Sequence, residues 1–263
     1  MSTTMKDRHR HDRHRHDLRR PALERGTAMT LAADEYRLFA DAVAALDEEA
    51  WRQPTPCPLW DVRQMTAHVI GMAEMAAGVR EGFRQRRIAG TDAATKGIAF
   101  IDALTDVQVR ERADHSPARL AEDMRRVGPR AARGRRMTPY LLRRRDMGVP
   151  QSVQGVDESW ALGYLVDVIL TRDTWMHRSD LAVATGAAMA LTPEHDGRIV
   201  ADVVAEWAGR HGQPYRLTLT GPAGGEWGHG TSGEEIRMDA VQFCRVLSGR
   251  GEGTGLLATE VPF

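Results

Sequence analysis

The sequence predicts an α+β protein, with a four-helix bundle at the N-terminal side and a smaller α+β domain after it. Three observations predict this. Apolar residues recur at helical spacing in four long stretches before residue 190. Beyond Gly186 the pattern shortens to a period of two in YRLTLTGPAGGEWGHG, residues 215–230, where Tyr215, Leu217 and Leu219 alternate with polar neighbours. The chain has 263 residues, 42% of them hydrophobic, enough for one large core or two modest ones. On this reading residues 1–28 are a His/Arg-rich disordered tail, residues 29–190 the bundle, and residues 191–263 the small domain.

Each element follows in order. The opening DRHRHDRHRHD, residues 7–17, repeats a five-residue unit with almost no apolar side chain, so burial cannot offset its ordering entropy. Its His9, His11, His14 and His16 could scavenge transition metals, although a solvated tail is the simpler reading. The first helix begins near Leu31, where Leu31, Tyr36, Leu38, Phe39, Val43 and Leu46 lie close to helical spacing, and PTPCP ends it. The second is expected from Val62 to about Gln85. Asp61 can accept from the free N–H groups of its first turn, Gln64 completes a capping box, and Trp60 can act as a staple.

A third apolar series covers roughly residues 97–127 with a break near HSP. A fourth runs from about Glu158 to Ala184, before Gly186. Between them RRVGPRAARGRRMTPYLLRRRD, residues 125–146, is expected to be a solvent-exposed loop, given its Gly, Pro and Arg content. In the small domain, Thr192 and Pro193 are expected as N-cap and first residue of a helix reaching Ala208. The closing helix carries Ala240, Val241, Cys244 and Leu247 on one stripe, and Gly249 ends it.

Charge excludes little but directs attention. Lys plus Arg and Asp plus Glu number 36 each. Residues 1–28 hold eight basic and four acidic side chains, so the remainder has 28 against 32 and a formal charge of −4. Global charge therefore does not argue for nucleic acid or membrane. The arginines of the tail and of residues 125–145 have only one aromatic among them, Tyr140, so a nucleic-acid partner is not expected. No apolar run approaches the roughly 20 residues that span a bilayer. No apolar h-region follows the charged N-terminus, and there are two cysteines, Cys57 and Cys244; a cytoplasmic protein is expected.

The chemistry-bearing residues sit on helices. On the fourth helix the stripe Leu162, Val166, Ile169 and Leu170, continued at about 100° per residue, leads to Asp173 and His177. A carboxylate facing a core carries a desolvation cost unless a cation meets it. Positions i and i+4 lie about 5 to 6 Å apart between Cβ atoms, which suits two ligands on one ion as well as an ordinary helix pair. His68, two turns into the second helix, is the natural third ligand, or else a packed core histidine. Two histidines and one carboxylate leave open positions for water or substrate. Asp180, one turn beyond His177, is placed to orient an imidazole. Cys57 suits a small residue in a Pro-rich turn, and Trp60, Trp160 and Trp175 are candidates for lining the bundle cavity or packing its core.

Together PTPCPLWDVRQMTAH, TRDTWMHRSDLAVATG and DAVQFCRVLSGR resemble the mycothiol-dependent maleylpyruvate isomerase family, within the wider DinB-like metal-dependent bundle superfamily. The resemblance spans about residues 30–258. It implies a DinB-like four-helix bundle holding a divalent metal, usually zinc, on His68, Asp173 and His177, with a smaller C-terminal domain covering the site. Asp173 stands where the family pattern often has Glu. It also implies mycothiol as a thiol cosubstrate, whose metal-stabilised thiolate isomerises or captures a small electrophile such as an unsaturated carboxylate.

An anionic substrate needs a cation. Arg250, beyond the last helix end, is the favoured carboxylate clamp. Arg245, one turn back, shares that role or faces solvent. A monomer or dimer is expected. The rival from another class is a metal-binding or thiol-binding module without turnover.

Overall fold

The computed structural model describes residues 18–263. The histidine repeat with His9, His11, His14 and His16 lies outside the described residues. Helix α1 spans Arg25–Ala44, with the Glu24 carboxylate accepting from Thr27 N at 2.9 Å. It therefore begins six residues before Leu31 and takes in residues 25–28, which were expected to belong to the disordered tail. Ala28 and Met29 are buried there. A 3-10 turn, Ala50–Arg52, buries Trp51, and a tight loop through Cys57 leads to α2, Val62–Ala77. Both arms of the expected capping box are present, Gln64 N to Asp61 Oδ1 at 2.7 Å and Asp61 N to Gln64 Oε1 at 3.0 Å.

The second helix, expected from Val62 to about Gln85, is two helices, α2 and a further one that runs on to Lys96. The chain turns extended at Gly78, and α3, Val79–Lys96, folds against α4, Phe100–Arg110. A larger difference is α5, Pro117–Met137, which Ser116 caps and which runs through half of the segment expected to be a loop. Leu120, Met124, Val127, Ala131 and Arg135 of α5 are buried, while most of its arginines point outward. Gly134 marks a close helix crossing instead of a break, since a Cβ there would lie 2.1 Å from Ala76 O of α2. Pro129 sits on the exposed side of this helix.

A short α6, Tyr140–Arg143, lies within the expected loop, and a hairpin of β1, Gln151–Val153, and β2, Val156–Glu158, ends at Glu158, so the fourth helix starts four residues later than expected. That helix begins as α7, Leu162–Tyr164, passes through a π-helical turn, Leu165–Ile169, and continues as α8, Leu170–Thr185. Arg135 Nε donates to Val166 O at 2.6 Å, satisfying a carbonyl in the wide turn. Gly186 ends α8 at φ +71°, where a left-handed residue suits glycine.

Helices α1, α2, α5 and α8 form the bundle around Phe39, Val43, Met65, Ile70, Leu120 and Met124. After it, α9 spans Asp196–His211. It starts three residues later than expected, because Thr192 Oγ1 caps a turn by accepting from His195 N at 3.2 Å. Strands β3, Tyr215–Thr220, β4, Gly225–His229, and β5, Glu234–Asp239, pair in the order β4-β3-β5, with β3 and β5 parallel. Helix α10, Ala240–Leu247, caps on Asp239 and packs Phe243 against Trp207 of α9. This second core takes in Trp175 and Met176, so α8 contributes to both. Among the described residues no helix is long and apolar enough to cross a membrane.

Candidate metal centre

The capping box fixes the start of α2 and hence the height of His68, two turns in. On α8 the regular i, i+4 spacing puts Asp173 and His177 on the face turned to α2. The structure brings the three together: their nearest ligand atoms lie within 4.8 Å of one another. Asp173 Oδ1 is 3.9 Å from His68 Nε2 and 3.5 Å from His177 Nε2. The rings of His68 and His177 meet edge to face, 5.2 Å between centroids, and Trp60 stacks on His68 at 4.9 Å.

Each imidazole is held from behind. His68 Nδ1 donates to Gln108 Oε1 at 2.8 Å, and His177 Nδ1 donates to Asp180 Oδ2 at 3.2 Å. With Nδ1 engaged on both rings, each Nε2 faces the shared space. Both side chains are nearly buried, whereas the Asp173 side chain keeps 21% exposure, so the cluster opens to solvent on that side. Asp173 Oδ2 is buried and has no hydrogen-bond partner among the described residues. Burial alone would raise the Asp173 pKa, but the adjoining His177 and His68 hold it well below the usual carboxylate range. Burial likewise disfavours a charged His177, and Asp173 outweighs it to raise the ring's pKa. Two imidazole nitrogens and a carboxylate with an unpartnered oxygen fit a divalent ion of borderline hardness.

Behind His177 lies a second layer. Asp180 is fully buried; Arg245 Nη1 donates to its Oδ1 at 2.9 Å, and Arg250 reaches both oxygens at 2.9 and 3.0 Å. Burial pushes Asp180 up, yet the hydrogen bond from His177 and the Arg250 guanidinium hold it at about 2. Arg245 therefore does not face solvent; it is buried on Asp180 and Ser179. Arg250 keeps 19% exposure at the edge of the same cluster. Cys57 is also part of it, its Sγ 3.6 Å from Asp180 Oδ2 and 3.9 Å from Arg250 Nη2.

Of the three tryptophans considered, Trp60 borders the site. Trp175 is sealed in the C-terminal core with Nε1 donating to Asp196 at 2.9 Å, and Trp160 packs on Tyr164 elsewhere. Gln108 carries no sequence signal beyond a polar residue on the inner face of its helix. Cys57 was visible as a residue of the loop but not as a neighbour of His177.

Comparison with known proteins bears on the fold that holds these residues. A family model described as mycothiol maleylpyruvate isomerase N-terminal domain matches residues 32–182, a span that includes His68, Asp173 and His177. Uncharacterized proteins from two strains of Mycobacterium tuberculosis are 26% identical over 220 residues, 79% of this chain and 79% of each relative. A crystal structure of a histidine-to-alanine variant of mycothiol-dependent maleylpyruvate isomerase aligns with a TM-score of 0.53 at 16% identity, covering 87% of this chain and 90% of that one. A second crystal structure of mycothiol-dependent maleylpyruvate isomerase aligns at 0.52 and 18%, covering 91% and 95%. At such identities the likeness to the solved structures is one of fold.

Proposed function

This chain belongs to the mycothiol maleylpyruvate isomerase family through its N-terminal domain, and on that premise we propose that it is a metal- and mycothiol-dependent enzyme acting on a small electrophile. The observation that carries the reading is the convergence of His68, Asp173 and His177, with Asp173 Oδ1 3.9 and 3.5 Å from the two Nε2 atoms and its Oδ2 left without a partner among the described residues. These three residues would hold the ion, and zinc suits the donor set. The ion supplies a Lewis acid that lowers the pKa of the thiol cosubstrate, so that the thiol reacts as thiolate near neutral pH.

The chain's own residues bind and orient. Gln108 and Asp180 keep the two imidazoles in the tautomer that faces the ion. Trp60 covers one face of His68 and excludes water from it. Arg250, at the exposed edge, is the cation for the carboxylate of an unsaturated acid, while Arg245 fixes Asp180 and so acts as a positioning residue. Isomerisation then consists of carbon–sulfur bond formation at an activated C=C, rotation about the resulting single bond, and expulsion of the thiolate, which is regenerated. Transfer stops after the first bond, with a proton going to the adjacent carbon. In neither case does the chain furnish the nucleophile.

The test counts bound zinc in the full chain with His9, His11, His14 and His16 replaced by Asn, beside the same protein carrying His68→Ala or His177→Ala. About one equivalent in the parent and little in either variant is expected. The parent should also turn over unsaturated carboxylates only when mycothiol is present. Variants that retain full metal, or turnover indifferent to the thiol, would overturn the reading.

A further inference from the structure

The His68 imidazole is the end of a buried polar chain that starts on the surface. Arg84 grips Glu81 on α3, with Nε donating to Glu81 Oε2 at 2.8 Å, and that contact holds Glu81 below its ordinary pKa. An ionised Glu81 only accepts, so Gln85 must turn its amide nitrogen toward it. Gln85 Nε2 is 2.8 Å from Glu81 Oε1 and 3.2 Å from Gly71 O. Gln85 Oε1 then accepts from Gln108 Nε2 at 3.0 Å, and Gln108 Oε1 is left to face His68 Nδ1 at 2.8 Å. Gln85 and Gln108 are both fully buried, so no water offers an alternative partner. Each donor direction forces the next, and the last forces the proton onto Nδ1 of His68.

The backbone makes room for this chain. Gly71 lies one turn after His68 on α2, and a Cβ there would meet Gln108 Cγ at 2.5 Å and Cβ at 2.6 Å. No side chain fits, because Gln108 crosses α2 at that point to reach the imidazole. A glutamine buried for packing alone would need neither an ordered amide chain nor a notch in the facing helix.

We propose that Gln108, oriented by Gln85 and Glu81 and admitted by Gly71, is a positioning residue that sets the tautomer of His68 and thereby the metal affinity of the site. The proposal rests on the metal-centre reading above. Its mechanism is local. Without the acceptor at Nδ1, the neutral ring is free to carry its proton on Nε2, the atom facing Asp173, and the lone pair turns away from the ion.

The experiment measures affinity for Zn2+ and for Co2+ in the full chain with the four tail histidines replaced by Asn. Zinc is titrated against a chromophoric chelator, and cobalt is read by its visible ligand-field spectrum. Gln108→Met, which keeps the volume and removes the acceptor, should weaken both metals about 10- to 100-fold and alter the cobalt spectrum. Gln108→Glu, which keeps an acceptor at Nδ1, should restore affinity to near the parent, and Gly71→Ala, which displaces Gln108, should fall between them. Parental affinity and spectrum in Gln108→Met would overturn the proposal, as would Gln108→Glu binding as weakly as Gln108→Met. His68→Ala separates the two levels. If it binds metal like the parent, the metal-centre reading fails; if it loses metal while Gln108→Met does not, only the relay fails.

Discussion

Helix α8 carries two kinds of ionic cluster within seven residues, and their difference is instructive. Asp173 and His177 face α2 with His68. Arg172 and Arg178 point elsewhere and are filled from the outset. Arg178 donates to both oxygens of Glu35 at 2.8 and 3.0 Å and to Asp196 at 2.5 Å, while His195 Nε2 contacts Glu35 at 2.7 Å. Arg172 pairs with Asp202 at 2.6 Å and with Glu206 at 2.8 Å. The trio Glu35, His195 and Asp196 has ligand-type atoms as close together as the candidate metal centre does. A guanidinium already lies among them. Proximity of ligand-type residues is thus not sufficient for a metal site; the gap between them must lack a resident cation, and at Asp173 it does.

Changes on the two sides of α8 should therefore separate function from stability. The largest effect expected is on turnover. Either His68→Ala or His177→Ala should cut thiol-dependent activity by at least about 100-fold while moving the unfolding midpoint little, measured by parallel assays and urea denaturation. Loss of stability matching the loss of activity would erase the contrast.

Next is Arg178→Met, which strips the cation from buried Glu35 and Asp196 and should destabilise the protein by about 3–5 kcal/mol in denaturant titration. Bound zinc in its folded fraction should stay at the parental level. An additional zinc equivalent there would show that Glu35, His195 and Asp196 are a latent site held closed by Arg178.

Arg250→Ala should act more narrowly. It removes a charge-assisted contact of about 1.5–3 kcal/mol, so KM for an anionic electrophile should rise roughly 10- to 100-fold with zinc retained. An unchanged KM would assign Arg250 to Asp180 alone.

The smallest effect concerns acid. Burial pushes Glu206 up, but Arg172 and Arg210 together hold it below its ordinary 4.5. Its stabilising contribution is therefore complete above that value and is lost as the pH falls through the lower, folded-state pKa. The melting temperature of the parent should drop more between about pH 5 and pH 3 than that of Glu206→Gln, and equal slopes would remove Glu206 from the account.

Much of this was legible along the chain because it is local. The capping box of Asp61 and Gln64, the i, i+4 pair of Asp173 and His177, and Asp180 one turn later need only helical geometry to be placed. The α+β class followed from a change of hydrophobic period near Gly186. The continuation of α5 through residues 125–137 was not legible, because Gly128 and Gly134 serve close contacts with α1 and α2 while Pro129 and every arginine of the segment but Arg135 face water. Composition alone reads those residues as a loop.

What only the tertiary structure decided is which face meets which. Four charged or imidazole side chains within seven residues of α8 differ in role because about 100° of helical turn per residue sends them toward different neighbours. Arg172 and Arg178 meet carboxylates brought by α1 and α9; Asp173 and His177 meet His68 instead of a cation. Gln108 reaches His68 from 40 residues away in sequence, through a notch at Gly71, and nothing in the local pattern of either helix encodes that meeting. Local sequence fixes the phase of each helix, and long-range packing fixes the partner that each phase presents.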